Sequence, residues 1–305
     1  MSNGSTFPPP RRSRGTLLIA LAVVMAVGVG GWLVWRSPGG GPSPDATAGT
    51  AASGAPSEHG DEAGSDAPTA GAGSPAPAGG PHRLQGKTVL LDPGHNPGNR
   101  DHTAEIARLV DVGNDRKECD TTGTATNGGY AEAAFTLDVV RRARALLQEE
   151  GAKVVLTQDG DRAYGPCVDG RAAAGNRAHA DAAVSVHADG SVAGNRGFHV
   201  ILPAPVTAGA ADTSRIVGPS RKLGEGLADR FAAVTGSARS NYVGHGTGLD
   251  IRSDLGGLNL STVPKVFIEC GNMRDPKDAA QLTDAEWREK AARGITEGIT
   301  DFLTR

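Results

Sequence analysis

The sequence predicts one α/β domain over its last three quarters, with a mostly parallel sheet covered by helices on both faces. Two observations support this fold class. From residue 84 onward, short apolar runs alternate with longer segments of helical periodicity, the pattern of strand–helix–strand units. The stretch from 84 to 305 contains about 220 residues, which is enough to enclose one sizeable hydrophobic core.

The N-terminal region predicts a membrane anchor. Residues 1–15 contain the basic sequence R-R-S-R, and residues 16–35 are uncharged and mostly apolar, with Trp32 and Trp35 at their end. A helix of about 20 apolar residues can cross a bilayer, and basic residues before it predict a cytoplasmic N-terminus. We therefore expect a single-pass anchor at 16–36 with the catalytic domain outside the cytoplasm. A cleaved signal peptide, which would release a secreted protein, is the alternative.

Residues 37–83 predict a disordered linker. They are almost entirely Pro, Gly, Ala, Ser, Thr, Asp and Glu, and such a segment has too little apolar surface to offset the entropy of ordering its backbone. Over the whole chain, 31 Lys and Arg balance 34 Asp and Glu. This balance gives no electrostatic reason to expect a nucleic-acid partner. No feature indicates an oligomer, so a monomer is expected.

Five short apolar runs predict buried strands. Each is four to six residues long, and the first ends in the turn sequence D-P-G. Short apolar runs bounded by turn residues are typical of the strands of a parallel sheet. The predicted strands are 87–91, 153–157, 182–186, 197–202 and 265–269.

Three helices are predicted between and after these strands. Apolar residues recur at helical spacing from Phe135 to Leu147, with Gly151 as the stop, and again from Leu223 to Val234. The last helix begins in T-D-A-E (283–286), a capping-box pattern. By contrast, residues 96–131 are long, polar and rich in Gly, Asn and Thr. We expect them to form a functional loop over the end of the first strand.

Four polar residues of metal-site type fall near predicted element ends. His95 follows the first strand, His187 the third, Glu269 closes the last, and Glu132 begins the first long helix. In open α/β sheets, ligands bind at the carboxyl ends of the strands. Two imidazoles and one carboxylate are a catalytic zinc set with the fourth position left for water, and a further carboxylate can accept a proton.

Each of these residues also has an ordinary interpretation. A single histidine at a strand end is commonly satisfied by a local hydrogen bond, and Glu132 could simply be a first-turn acid favoured by the helix dipole. Glu269 is harder to explain in this way, because a carboxylate near the middle of a sheet is costly unless it is paired or ligated. The joint occurrence of all four favours the metal site.

The motifs that contain these residues identify a family resemblance. The segments T-V-L-L-D-P-G-H-N-P-G (88–98), N-G-G-Y-A-E (127–132), A-V-S-V-H-A-D-G (183–190) and V-P-K-V-F-I-E-C-G-N-M (263–273) resemble the zinc-dependent N-acetylmuramoyl-L-alanine amidases, most closely the mycobacterial and actinobacterial autolysin type. The resemblance implies one α/β domain and hydrolysis of the bond between muramic acid and L-alanine in peptidoglycan. It also implies Zn²⁺ held by His95, Glu132 and His187, with Glu269 as the catalytic carboxylate.

The three cysteines are expected to have different roles. Cys119 and Cys167 lie in predicted loops, whereas Cys270 follows a buried strand. Together with the resemblance, this predicts a Cys119–Cys167 disulfide; three free thiols are the alternative. Strand alternation predicts that Cys270 points away from Glu269. A thiolate ligand at 270 is the alternative.

Two neighbouring polar residues keep open interpretations. Asp92 could orient a metal ligand, or it could cap the D-P-G turn. Arg171 is expected to be an ordinary solvated or ion-paired arginine rather than a substrate contact. Two other functions also compete with the amidase: a peptidoglycan-binding module without activity, and a zinc peptidase that cuts the stem peptide.

Overall fold

Six strands between residues 88 and 272 form the central sheet of this protein, whose computed structural model describes residues 82–305. The strands of the described residues are β1 (Thr88–Pro93), β2 (Leu109–Asp111), β3 (Arg116–Glu118), β4 (Lys153–Leu156), β5 (Ala182–Asp189), β6 (His199–Pro203), β7 (Thr207–Ala208), β8 (Ala211–Asp212), β9 (Leu249–Arg252) and β10 (Lys265–Asn272). The spatial order in the central sheet is β4-β1-β5-β10-β6-β9. Every neighbouring pair in it is parallel except β6 and β10, so the predicted mostly parallel sheet is present.

Helices cover both faces of this sheet. The larger core packs three long helices against one face, and a shorter helix covers the other face around Leu90 and Ala183. The helices are α1 (Thr103–Ile106), α2 (Glu132–Glu149), α3 (Val168–Ala178), α4 (Val217–Thr235), α5 (Gly256–Asn259), α6 (Pro276–Thr283) and α7 (Ala285–Thr304). Short 3-10 turns at Pro97–Asp101 and Gly244–Gly246 complete the described chain.

Alternation along the strands decides which side chains can reach a site. Val89 and Leu91 of β1 belong to the larger core, whereas Leu90 belongs to the smaller one. Successive strand side chains point to opposite faces, so Asp92 lies on the α3 side together with Leu90. The same rule places Cys270 in the larger core, away from Glu269. The expectation for the orientation of Cys270 is therefore confirmed.

The long loop predicted at 96–131 contains more regular structure than its composition indicates. It includes α1 and a small antiparallel hairpin of β2 and β3. These strands are three residues long and only Val110 is fully buried among them, so no apolar alternation is available to predict them. The start of α7 also differs in detail, because Asp284 rather than Thr283 caps it and accepts a hydrogen bond from the Trp287 amide.

The placement of the protein in a membrane requires correction. Within residues 82–305, no helix has both the length and the apolar character needed to cross a bilayer. The segment 16–36 and the linker 37–83, apart from its last two residues, lie outside the described residues. The expectation of a single-pass membrane protein is corrected on this ground, because no helix of the described residues supports it.

A disulfide joins Cys119 to Cys167. It connects the residue immediately after β3 to the residue immediately before α3. The third cysteine, Cys270, is a free thiol buried in the core, so the thiolate-ligand alternative has no geometric support. The disulfide therefore fixes part of the long loop to α3, the helix that covers the smaller core around Leu90.

Replacing both bonded cysteines by serine (Cys119→Ser with Cys167→Ser) is expected to destabilise the protein. The two positions are 48 residues apart, and closing a loop of this length stabilises by about 4 kcal/mol in the chain-entropy model. Denaturant unfolding of the full chain measures the loss. Wild type treated with a reductant should unfold at the same denaturant concentration as the double variant, and an unchanged midpoint in both would contradict the expectation.

Candidate functional site

His95 lies in the turn that leaves β1, and the backbone there is unusual. Its φ is +61°, a left-handed conformation that few non-glycine residues adopt. The preceding Gly94 packs against the ring of His187 so closely that a Cβ at position 94 would lie 2.3 Å from that ring. Glycine is therefore required for the two histidines to approach each other. Their ring centroids are 5.1 Å apart.

Three predicted ligands converge at the end of the sheet. Glu132, the first residue of α2, places Oε1 3.1 Å from Nε2 of His95 and 3.0 Å from Nδ1 of His187. One donor atom from each of the three residues lies within 4.8 Å of the others. Glu132 does lie in the first turn of α2, but its side chain is buried and directed into this cluster, so the helix dipole alone does not account for it.

The cluster is built to attract positive charge. Burial by itself lowers the pKa of the His95 imidazole, but the Glu132 carboxylate and Asp120 outweigh it and raise this pKa to about 10. Burial raises the pKa of Glu132, and His95 and His187 outweigh that effect, holding it well below its ordinary range. A position that binds protons so strongly is also favourable for a cation.

Hydrogen bonds on the far side of each ring select the nitrogen that faces the cluster. Nδ1 of His95 is 3.1 Å from the carbonyl of Thr121, so Nδ1 keeps its proton in every state. Nε2, which donates to Glu132 in the metal-free protein, is the nitrogen that would bind a metal after losing its proton. Ser185 Oγ is 3.2 Å from Nε2 of His187; because this hydroxyl donates to Asp92, it accepts the His187 proton. Nδ1 of His187 is then free to bind a metal.

The Glu132 carboxylate is oriented by backbone amides. Oε2 accepts from the Thr124 amide at 2.9 Å, and Oε1 accepts from the Ala188 amide at 3.2 Å. Gly123 supplies space for this contact, since a Cβ there would lie 2.9 Å from Oε2 of Glu132. A metal ion that displaces the proton facing the cluster would find two imidazoles and one carboxylate, each held from outside, and this donor set fits Zn²⁺.

Glu269 lies beside this cluster without belonging to it. In β10 it is in register with His187 of β5 and with His199 of β6. Its Oε2 is buried and has no hydrogen-bond partner within residues 82–305. Burial, reinforced by the negative charges of Glu132 and Asp189, raises the pKa of Glu269 well above its ordinary value. An acid of this kind next to a cation site is suited to accept and return a proton.

A cavity of about 220 Å³ opens onto these groups. Its wall combines the three donors and Glu269 with one cationic side chain, Arg252, and apolar surface. Loop and strand ends from both halves of the sheet contribute to it, as expected for a site at the carboxyl ends of strands. It is lined by His95, Thr124, Glu132, His187, Ala188, Asp189, Gly190, Ile201, Arg252, Leu255, Phe267 and Glu269.

The remaining residues considered from sequence have clear positions. Arg171 is buried and ion-paired with Asp92 and Asp120, so the expectation of an ion-paired arginine is confirmed, although the pairs are internal. Asp92 accepts from Ser185, which contacts His187, and thus lies behind a predicted ligand.

Several contributors were not identified from sequence. Ser185 lies two residues before His187 in β5, and Lys265 lies four residues before Glu269 in β10. Side chains at even spacing share a strand face, so this spacing could have placed both residues on the side of the site. Asp120, in contrast, sits in an irregular segment where spacing carries no information. Tyr242, which donates to Asp189 at 2.7 Å, also comes from a loop without periodicity.

Comparisons with known proteins agree with this geometry. Residues 89–301 match the model of a family described as N-acetylmuramoyl-L-alanine amidase. The chain is 41% identical to N-acetylmuramoyl-L-alanine amidase Rv3717 of Mycobacterium tuberculosis, over 73% of this chain and 89% of the relative. It is also similar to crystal structures of the amidase Ami1: 42% identity and a TM-score of 0.66 for Mycobacterium smegmatis, covering 72% of this chain and 98% of that one, and 40% and 0.66 for Mycobacterium abscessus, covering 72% and 100%.

Proposed function

The chain belongs to the N-acetylmuramoyl-L-alanine amidase family and is thus an amide hydrolase of peptidoglycan; we propose that it acts with a Zn²⁺ ion bound by His95, Glu132 and His187. The observation that carries this proposal is the convergence of three donors from distant segments on one point. We further propose that residues 84–305 constitute the catalytic domain. The metal, when bound, would polarise the scissile carbonyl and lower the pKa of water at the site.

We assign the proton transfers to Glu269. Its unpartnered Oε2 is buried beside the three donors, where an attacking water molecule and the leaving nitrogen would both be near. Glu269 would accept a proton as the water oxygen bonds to the lactyl carbonyl carbon. It would then deliver that proton to the L-alanine nitrogen as the carbon–nitrogen bond breaks, which regenerates the carboxylate.

Three residues of this chain support the role of Glu269. Asp189 and Glu132 lie close enough for their charges to raise the pKa of Glu269, which increases its proton affinity. Phe267 stacks on His187 with ring centroids 5.2 Å apart, so it restrains the ring of a proposed ligand and excludes water from that side. Together they keep a basic carboxylate next to a rigid donor set.

Digestion of purified peptidoglycan by the full chain distinguishes the competing functions. Mass spectrometry of the soluble fragments should reveal new L-alanine amino termini and sugar strands without peptide. Cuts within the stem peptide would instead support the zinc peptidase, and binding without any product would support the recognition module. A parallel digestion with a chelator present controls for other hydrolases, because only metal-dependent products should disappear.

A further inference from the structure

A continuous path of ion pairs and hydrogen bonds lies behind the donor cluster. Its first half starts at His95, whose Nδ1 is 3.3 Å from Oδ1 of Asp120. The other oxygen of Asp120 accepts from Nη2 of Arg171 at 2.8 Å. The second terminal nitrogen of the same guanidinium, Nη1, donates to Oδ1 of Asp92 at 2.8 Å. One arginine thus links two carboxylates on opposite sides of its fork.

The second half leads from Asp92 to the other histidine. Oδ2 of Asp92 accepts from the Ser185 hydroxyl at 2.9 Å, and that hydroxyl is 3.2 Å from Nε2 of His187. Lys265 donates to the same Oδ2 at 3.1 Å. The outer nitrogens of His95 and His187 are therefore joined through an unbroken path that does not pass through the metal site.

This path is shielded from solvent and balanced in charge. Asp92 and Asp120 are countered by Arg171 and Lys265, and each of these side chains is at most 6% exposed. Burial raises the pKa of both carboxyls, but His95 and Arg171 outweigh it at Asp120 and hold its pKa at about 2. Lys265 and Arg171 outweigh it at Asp92, whose pKa lies well below its ordinary range. In such surroundings an ion pair is strong, and loss of one partner is costly because it leaves a buried charge.

Arg171 is suited to its central position by its shape. Besides both carboxylates, its guanidinium donates to the carbonyls of Pro93 and His95, so it also fixes the turn that carries a proposed ligand. A lysine at 171 has one nitrogen and cannot satisfy these separated acceptors together. The geometry therefore depends on the planar fork of arginine.

The disulfide holds the two parts of this path together. Cys119 immediately precedes Asp120, and Cys167 immediately precedes α3, the helix that carries Arg171. A covalent bond one residue before Asp120 and four residues before Arg171 limits their separation. The irregular segment that contains Asp120 is thereby kept against the helix.

Building on the metal site of the proposed function, we propose that Arg171 is a positioning residue that couples the two histidine ligands. Through Asp120 it holds His95 with the proton on Nδ1, and through Asp92 and Ser185 it holds His187 with the proton on Nε2. The path between the two histidines acts as one unit, so a substitution at either end of it weakens metal binding. Outer hydrogen bonds to ligating histidines typically contribute about 10- to 100-fold to metal affinity.

Zinc affinity of the full chain, measured by competition with a chromogenic chelator, tests this coupling. Asp120→Asn and Ser185→Ala are conservative changes at the two ends, and each is expected to weaken zinc binding by about 10- to 100-fold. The loss of zinc affinity in the double variant should be smaller than the product of the two single losses. Either change already interrupts the path, so the second change has little further effect. Arg171→Lys should weaken binding at least as much as either single change.

Additional measurements separate positioning from folding. Ser261→Ala, which removes a buried hydroxyl donating to Val263, should leave zinc affinity within about twofold, a change of under 0.5 kcal/mol. Nitrogen NMR of the zinc-loaded protein should show the proton of His95 on Nδ1 and that of His187 on Nε2. In Ser185→Ala the ring-nitrogen signals of both histidines should change. Losses that multiply independently, or a disturbance confined to His187, would overturn the coupling. Wild type that binds no zinc would instead refute the metal assignment itself.

Discussion

Replacement of Glu269 by glutamine is expected to reduce peptidoglycan hydrolysis by about 10²- to 10⁴-fold, the usual contribution of a general acid–base group. The amide has nearly the same size as the carboxylate but cannot accept the proton of water. Glu269 is not one of the three clustered donors, so the zinc content should remain near that of wild type. Product release from purified peptidoglycan and metal analysis of the same preparation are the two measurements.

The pKa of Glu269 adds a stability signature to this prediction. Burial and the neighbouring carboxylates raise that pKa above the ordinary value of 4.5. A raised carboxyl pKa means that the folded metal-free protein opposes ionisation, so this group destabilises the fold at pH above its unfolded-state pKa. At pH 7 the metal-free Glu269→Gln protein should therefore melt at the same or a higher temperature than metal-free wild type.

Glu149→Gln serves as the control for this substitution. Glu149 ends α2 on the exposed surface, and the same chemical change there should leave turnover and zinc content unaltered. Substantial hydrolysis by Glu269→Gln, with the control behaving as wild type, would remove Glu269 from the proposed mechanism. A matching loss in both variants would indicate a problem of preparation rather than of chemistry.

Replacement of His187 by alanine should remove the metal and the activity together. This histidine supplies one of only three donors in the cluster, and two remaining side chains rarely retain zinc with high affinity. Loss of the cation removes electrostatic stabilisation of the polarised carbonyl, for which about 10²- to 10³-fold in rate is typical of a single stabilising group. Metal analysis and the peptidoglycan digestion should therefore fall in parallel.

Chelation of wild type is the complementary measurement. A strong chelator should abolish hydrolysis, and added Zn²⁺ should restore it, because the folded core does not depend on the three donors alone. His179→Asn is a suitable control, since this exposed residue ends α3 with φ of +46°, a conformation that asparagine tolerates. Activity that persists in His187→Ala or in the chelated enzyme would contradict a metal role for the cluster.

The correctly predicted elements are those in which buried apolar residues form a continuous run or recur at regular spacing. β1, β4, β5, β6 and β10 were recognised as apolar runs, and the long helices α2, α4 and α7 by their helical spacing. Periodicity did not predict α3, because V-D-G-R-A-A-A-G-N offers mostly small apolar side chains to pack on the sheet. Large apolar residues are what make a helical period visible, and close helix packing here uses small ones instead.

The sequence alone determined the fold class, the family and the four residues at strand and helix ends, because local hydrophobic periodicity and short motifs encode them. Only the tertiary structure decided that Asp120, Arg171, Asp92 and Ser185 form one path between His95 and His187. These residues come from separate elements, and no spacing along the chain specifies their approach. Burial brings them together, since charged and polar groups excluded from water must satisfy one another.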